Sequence, residues 1–282
     1  ITLEANPGAI DERSFSAYRD AGVDRLSIGA QSFDATHLTA LGRIHAPGDI
    51  DRAVETATTA GFTRINLDLM HGLPGQTPAG AVDDLRRAIA LGVTHLSWYQ
   101  LTIEPRTEFA LHPPQLPDED TLGAIEAAGF ALLDAARFSR YEISAFCRAG
   151  ETARHNVNYW TFGDYIGIGA GAHGKITFPH RGVVVRTHKP PAPARYLSTP
   201  PRELRGEAIV QPEALPGEFL LNALRLIGGV DAALLSARTG CALQTVAATW
   251  LRQQQRGLMR SDKLALTELG LRHLDTVVSE FL

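Results

Sequence analysis

Two cysteines in 282 residues, Cys147 and Cys241, are too few for a disulfide framework and point to a reducing compartment. They are also too few to hold an iron–sulfur cluster or a four-cysteine zinc site. The chain has no apolar run of bilayer-spanning length and no signal-peptide pattern at its start. Cationic excess is missing as well. The net charge is −4, which disfavours a general nucleic-acid binder or a polybasic membrane binder. An initiating methionine is absent too. The chain opens on Ile1, directly in the strand-like "ITLEAN", and reads as a fragment whose earlier part is missing.

What is there is a repeated pattern. "AGVDRLSIGAQ", "AGFTRINLDLM" and "LGVTHLSWYQL" each place a glycine before a short apolar strand, and a helical pattern precedes each. The glycine is suited to end that helix in a left-handed conformation. Thr77 and Pro78 form a cap followed by a first-turn proline for the helix that starts there. Strands alternating with helices predict βαβ units and a parallel sheet. Five strands are expected, at 2–6, 25–31, 64–70, 95–101 and 141–146. A closed (β/α)8 barrel needs eight, so the sheet is expected to be open or partial.

Polar residues collect at the strand ends, the active-site edge of such folds. They are Glu4 and Asn6, then Gln31, then Asp68 and His71, then Gln100 and Glu104. Asp68 either binds paired hydroxyls such as those of a ribose or caps the next helix. Gln31 offers donor and acceptor, and Arg43 a fork for a carboxylate. With Glu4 for an ammonium group, they suit an amino-acid-like ligand bearing a ribose. The stretch "FGDYIGIGAGAHG" (162–174) carries five glycines in thirteen residues. No Gly-Lys-Ser/Thr follows, so it is not a P-loop, but it permits close backbone approach to a ligand. His173, within it, is either a ligand or a satisfied loop histidine.

Three divisions follow: residues 1–186 as the barrel-like part, a proline-rich linker at 187–204, and a helical domain at 205–282. Three helices and a two-stranded wing give the last a winged-helix shape. From Arg205 onward eight basic residues face eight acidic ones, a balance that argues for an interaction or lid domain rather than a DNA reader.

Several segments in one order, "TLEANPG", "RLSIGAQSFD", "LGRIH", "INLDLMHGLPGQT", "LSWYQLTIEP", "HNVNYW", "GDYIGIGAGAHG" and "EFLLNALRL", closely resemble the haem-chaperone branch (HemW) of the radical S-adenosylmethionine (SAM) family. That branch is related to the oxygen-independent coproporphyrinogen III dehydrogenases (HemN). The resemblance implies a partial (β/α)6 barrel with a winged-helix-like C-terminal domain, a bound SAM and a [4Fe–4S] cluster. It carries SAM contacts onto Glu4, Gln31, Arg43 and Asp68, and onto Thr102 and His173, whose local motifs differ from the dehydrogenase branch. The family's C-x3-C-x2-C cluster motif is absent, as is its early glycine-rich loop, which fits truncation upstream; as it stands, this polypeptide is not expected to assemble the cluster.

The run "HNVNYW" (155–160) reads two ways. On composition it is a packed corner, with Trp160 in the core and His155 on a turn. In a helix, His155 and Tyr159 share a face. The resemblance associates this run with haem, implying His155 as an axial ligand and Tyr159 beside the porphyrin. The expected function is a haem chaperone that binds haem and passes it to haem-acceptor proteins in the cytoplasm. Peripheral membrane contact is compatible with that role, since haem acceptors are often membrane enzymes. The alternatives are a coproporphyrinogen III dehydrogenase and a cluster-free interaction module.

Overall fold

The structure is a computed structural model and describes residues 1–8, 12–200 and 206–282. The chain divides into two compact units, Ile1–Thr152 and Ala153–Leu282.

The first unit runs β1 (Thr2–Ala5), α1 (Glu12–Asp20), β2 (Arg25–Gln31), α2 (Ala35–Ala40), α3 (Pro47–Thr59), β3 (Ile65–His71), α4 (Pro78–Ala90), β4 (His95–Gln100), α5 (Glu108–Leu111), α6 (Glu119–Ala135), β5 (Ser139–Glu142) and β6 (Ala145–Cys147). Strands β1 to β4 are parallel and adjacent in sequence order. The expected punctuation is in place: Gly22, Gly61 and Gly92 each follow a helix with φ of 97°, 87° and 75°. Thr77 Oγ1 accepts the Gly80 N–H at 3.2 Å, and Asp118 accepts that of Thr121 at 2.8 Å, so α4 and α6 begin on side-chain caps.

One face of the sheet is apolar. Leu26, Ile28, Leu67, Leu69, Leu96 and Trp98 pack with Ile50, Val54, Leu85, Ile125 and Leu133 of the flanking helices, all buried. Full burial stabilises such side chains by about 1.5–3 kcal/mol each. The close approach of α6 depends on Gly129, where a Cβ would lie 2.0 Å from the Trp98 ring.

The fifth expected strand is not one strand but two. Residues 141–146 straddle a hairpin in which β6 is antiparallel to β4 and β5 antiparallel to β6. The turn is closed by Glu142, whose carboxylate accepts the Ser144 N–H at 3.0 Å, and by Arg140, whose guanidinium donates to the Ile143 carbonyl. Those polar bonds replace a straight run that the apolar pattern alone describes.

The second unit comprises α7 (Arg154–Trp160), β7 (His173–Phe178), β8 (Val183–His188), α8 (Pro193–Ser198), β9 (Gly206–Ile209), α9 (Leu215–Ala223), α10 (Ala233–Thr239), α11 (Gln244–Gln255), α12 (Glu268–Arg272) and α13 (Leu274–Ser279). Strands β7, β8 and β9 form an antiparallel sheet. Helices α9 to α11 enclose a core of Phe219, Leu220, Leu224, Leu235 and Val246, and bridges Val230–Leu264 and Met259–Leu266 supply a short wing. The proline-rich stretch is not a linker between domains. Its first residues end β8, Pro193 opens α8, and β9 on its far side pairs with β8, so it lies inside the second unit; residues 201–204 fall outside the described residues. The break between units lies at Thr152–Ala153 rather than at 186.

Candidate functional site

The sheet face opposite the apolar core carries a ladder of polar side chains. Register places Glu4 beside Ser27, Ser27 beside Asn66, and Asp68 beside Ser97. Asn66 Nδ2 donates to Ser27 Oγ and to Asp68 Oδ1, both at 2.8 Å, and Ser27 Oγ donates to Asp68 Oδ2 at 3.1 Å. Asn66 Oδ1 lies 2.6 Å from His95 Nδ1 and accepts Ser97 Oγ at 3.2 Å. Asp68 is therefore a carboxylate held by two side-chain donors, half-buried, with lone pairs remaining. It caps no helix; that role belongs to Thr77. Below it Arg25 is buried, and burial lowers its pKa.

Gln31 ends β2 with φ at 66°, the left-handed region, immediately after a register shift against β3. Its amide accepts the Tyr99 O–H at 2.8 Å. Gly29 makes room for it, since a Cβ there would lie 2.9 Å from Gln31 Nε2 and 3.1 Å from Asn6 Oδ1. The following loop is clamped by Asp84 of α4, which accepts Ser32 Oγ at 2.8 Å and the Phe33 N–H at 2.7 Å, and whose pKa burial raises. Burial also raises the Tyr99 pKa; Asp68 pushes it the same way, and Arg43 opposes. So Gln31 bonds Tyr99 and Asp68 bonds Ser27, Glu4 lies opposite Ser27 in the register, and the Arg43 charge acts on Tyr99. Thr102 does not join them by any hydrogen bond; its exposed hydroxyl donates to Glu104 at 3.3 Å. His71 points away, into the apolar face. It stacks on Trp98 at 4.3 Å, and burial lowers its pKa to about 4.

Sequence reasoning missed Ser27, Asn66, His95, Ser97 and Tyr99. The signal was present in "RLSIGAQ", "NLDL" and "HLSWY", where polar and apolar residues alternate strictly. Parallel strands whose two faces both pack on apolar layers read as continuous apolar runs, so alternation marks one face built of polar side chains.

In the second unit, α7 does place His155 and Tyr159 on one face, with ring centroids 6.3 Å apart. Tyr159 meets Tyr165 edge-on at 4.7 Å. Trp160 lies under Arg225 at 4.5 Å and is half-buried. The glycine-rich segment folds back on α7: Gly163 N–H donates to the Asn158 carbonyl at 2.7 Å, and a Cβ on Gly163 would lie 2.0 Å from Asn158 Oδ1. Tyr159, Trp160, Tyr165, His173, Lys175 and Arg186 line a cavity of about 390 Å³. Its cations are compensated. Lys175 donates to Asp164 at 2.8 Å, to Thr177 at 3.1 Å and to the Phe162 carbonyl at 3.0 Å, and burial lowers its pKa. Arg186 pairs with Glu218 at 2.6 Å and donates to the Tyr165 hydroxyl at 3.3 Å. His173 belongs to this cavity, in the second unit, whereas the other five residues expected around SAM lie in the first.

Comparison with known proteins settles the family. The heme chaperone HemW of Escherichia coli is 44% identical over 284 residues, covering 100% of this chain and 74% of that protein. The heme chaperone HemW of Haemophilus influenzae is 43% identical over 289 residues, covering 100% and 73%. This chain belongs to the HemW family. The radical SAM superfamily model matches residues 1–88 of this HemW-family chain. Coproporphyrinogen III oxidase (HemN) from E. coli superposes with a TM-score of 0.80 over 100% of this chain and 69% of that one, at 19% identity. That likeness establishes the fold as a partial radical SAM barrel with a winged-helix-like domain.

The donor sets differ in what they fit. The strand-end carboxylates, Gln31 and Arg43 suit the ammonium, carboxylate and ribose of SAM. A cluster held by three thiolates does not fit. Among the described residues no group of three or more His, Cys, Asp or Glu is placed to hold a metal ion. Cys147 is buried and Cys241 lies in the other unit, and burial raises the Cys147 pKa, opposite to what a thiolate ligand requires.

Proposed function

We infer that this chain acts as a HemW-type haem chaperone that handles haem and SAM, taking up haem and passing it to haem-requiring proteins. The observation that carries this is identity to named heme chaperones along the whole chain. Haem is the cargo, with His155 as an axial ligand and Tyr159 against the porphyrin; neutral imidazole is a common haem-iron ligand, and aromatic rings stack on flat π-systems.

SAM is assigned to the strand ends. Glu4 takes the ammonium group, Arg43 the carboxylate, Asp68 the ribose hydroxyls and Gln31 a further polar contact, with Thr102 at the rim. Bound to a reduced [4Fe–4S] cluster, SAM supplies radical chemistry; this chain's own residues bind and orient it, and no cluster step is assigned to them. Among the described residues no helix is long and apolar enough to cross a membrane. A cytoplasmic location and peripheral contact with membrane-bound acceptors belong to the same proposal.

The test is titration of the protein with ferric haem, followed by mixing the complex with an apo haem protein. A Soret complex whose haem moves to the acceptor is expected. His155→Ala, with its fold intact, is expected to alter the Soret spectrum; an unchanged spectrum removes that ligand assignment. Turnover of coproporphyrinogen III by the protein, with no haem transfer, would replace the chaperone with the enzyme.

A further inference from the structure

Besides His155 on α7, the second unit presents a further histidine, in the wall of its cavity. Tyr159, Trp160 and Tyr165 supply flat aromatic walls, and Arg186 supplies a guanidinium at one side. His173 is the imidazole that lines this space. His155 stands next to this wall, its ring 6.3 Å from that of Tyr159 between centroids.

The backbone that presents His173 is pinned on several sides. It opens β7, where it pairs with His188 of β8. The residue before it accepts the Lys189 N–H at 2.9 Å, and two residues on, Lys175 exchanges both backbone bonds with Tyr165 at 2.9 Å. Gly167 packs so closely on this strand that a Cβ there would lie 2.1 Å from the His173 carbonyl oxygen. The side chain itself is exposed. A rigid backbone holding an accessible imidazole over an aromatic-walled space is how a metalloporphyrin ligand is presented.

Resting on the haem reading above, we propose that His173 donates an imidazole nitrogen to the iron of a haem seated against Tyr159 and Tyr165. The exchange replaces one iron-bound water by the imidazole nitrogen, with no change in oxidation state. It also moves His173 from the SAM site, where the family resemblance puts it, to the haem site. The two segments that look separate in the sequence, 155–160 and 162–174, then form one binding site.

The experiment is pulsed electron paramagnetic resonance of the ferric haem complex, prepared with histidine labelled with nitrogen-15, on the wild-type protein, His173→Ala, His173→Gln and His188→Ala. His188 is the control, since its ring lies 6.3 Å from that of His173 on the neighbouring strand. The two His173 variants are expected to lose one coordinated imidazole and shift the Soret maximum, and millimolar imidazole is expected to restore the wild-type spectrum to His173→Ala. His188→Ala is expected to match the wild type. Circular dichroism checks the fold of each variant. A wild-type haem complex left unchanged by both His173 substitutions, or changed equally by His188→Ala, overturns the assignment while leaving the haem reading standing. Failure of the wild-type protein to form any Soret complex overturns both.

Discussion

Asn66 uses its full hydrogen-bonding capacity within the sheet. Its amide donates twice, to Ser27 and Asp68, and its carbonyl accepts from Ser97 and His95. That assigns the His95 proton to Nδ1, leaving Nε2, 2.9 Å away, to accept the Tyr141 O–H. Removing one member strands buried partners, and such groups cost about 1–3 kcal/mol each. Asn66→Ala is therefore expected to lower unfolding free energy by about 2 kcal/mol in urea titration; a change below about 0.5 kcal/mol would mean the ladder is not cooperative. Gln31 predicts the opposite balance. A non-glycine residue at φ of 66° carries strain of about 1–3 kcal/mol, so Gln31→Gly relieves strain while losing one bond to Tyr99. Thermal unfolding of Gln31→Gly should change little or improve, while binding of S-adenosylhomocysteine, read by calorimetry, should weaken. Equal loss of stability and binding would show that Gln31 is held for packing alone. Glu4, Gln31 and Asp68 were legible in the sequence because acids and amides at strand ends stand out. Ser27, Asn66 and Ser97 were not, because small polar residues inside a strand look ordinary until the period of two is counted.

The helices that cover the apolar face were readable because their stops and caps are local chemistry, satisfied within a few residues. The hairpin of β5 and β6 was not, because its turn depends on Arg140 and Glu142 reaching backbone groups that periodicity does not register. Proline content likewise marked 187–204 as a linker, yet β9 pairs with β8 across it, a long-range bond invisible in composition. Two glycines of α6 separate packing from propensity. Gly123 is exposed, and a Cβ there would meet nothing within 4 Å, whereas a Cβ on Gly129 would lie 2.0 Å from the Trp98 ring. Gly123→Ala is expected to stabilise by about 0.5–1 kcal/mol through helix propensity. Gly129→Ala is expected to destabilise by about 1–3 kcal/mol through overpacking. Both are measured by denaturant unfolding with circular dichroism, and the same sign for both would show that α6 is not seated on Trp98 as described.

At the scale of the whole molecule, the βαβ order was enough to predict a parallel sheet that is open or partial, because alternation of strand and helix constrains topology strongly, and the family resemblance narrowed this to a partial barrel. The boundary between units was not legible, because long-range contacts assign Ala153 to Arg186 to the second unit: β7 pairs with β8 and β8 with β9, Phe162 packs on Phe219, and Arg186 pairs with Glu218. Stability over pH is a property of the whole chain in which one residue stands out. His71 is buried on Trp98, and burial, with the Arg140 charge nearby, holds its pKa at about 4 against 6.5 when unfolded. Because the folded value is the lower one, the unfolded chain binds the extra proton. Stability from this group is complete above pH 6.5 and is lost as pH falls toward 4. At pH 5 the loss is about 2 kcal/mol. Asp84 acts in the other direction, since burial raises its pKa and folding then favours its protonated form at low pH. The comparison must therefore be between proteins that share Asp84 and differ at position 71. His71→Leu keeps an apolar body against Trp98 and removes the titration. Urea unfolding of wild type and variant at pH 7 and pH 5 should show the wild type losing about 2 kcal/mol more than the variant over that interval. Parallel losses in the two proteins would place the acid sensitivity elsewhere than at His71.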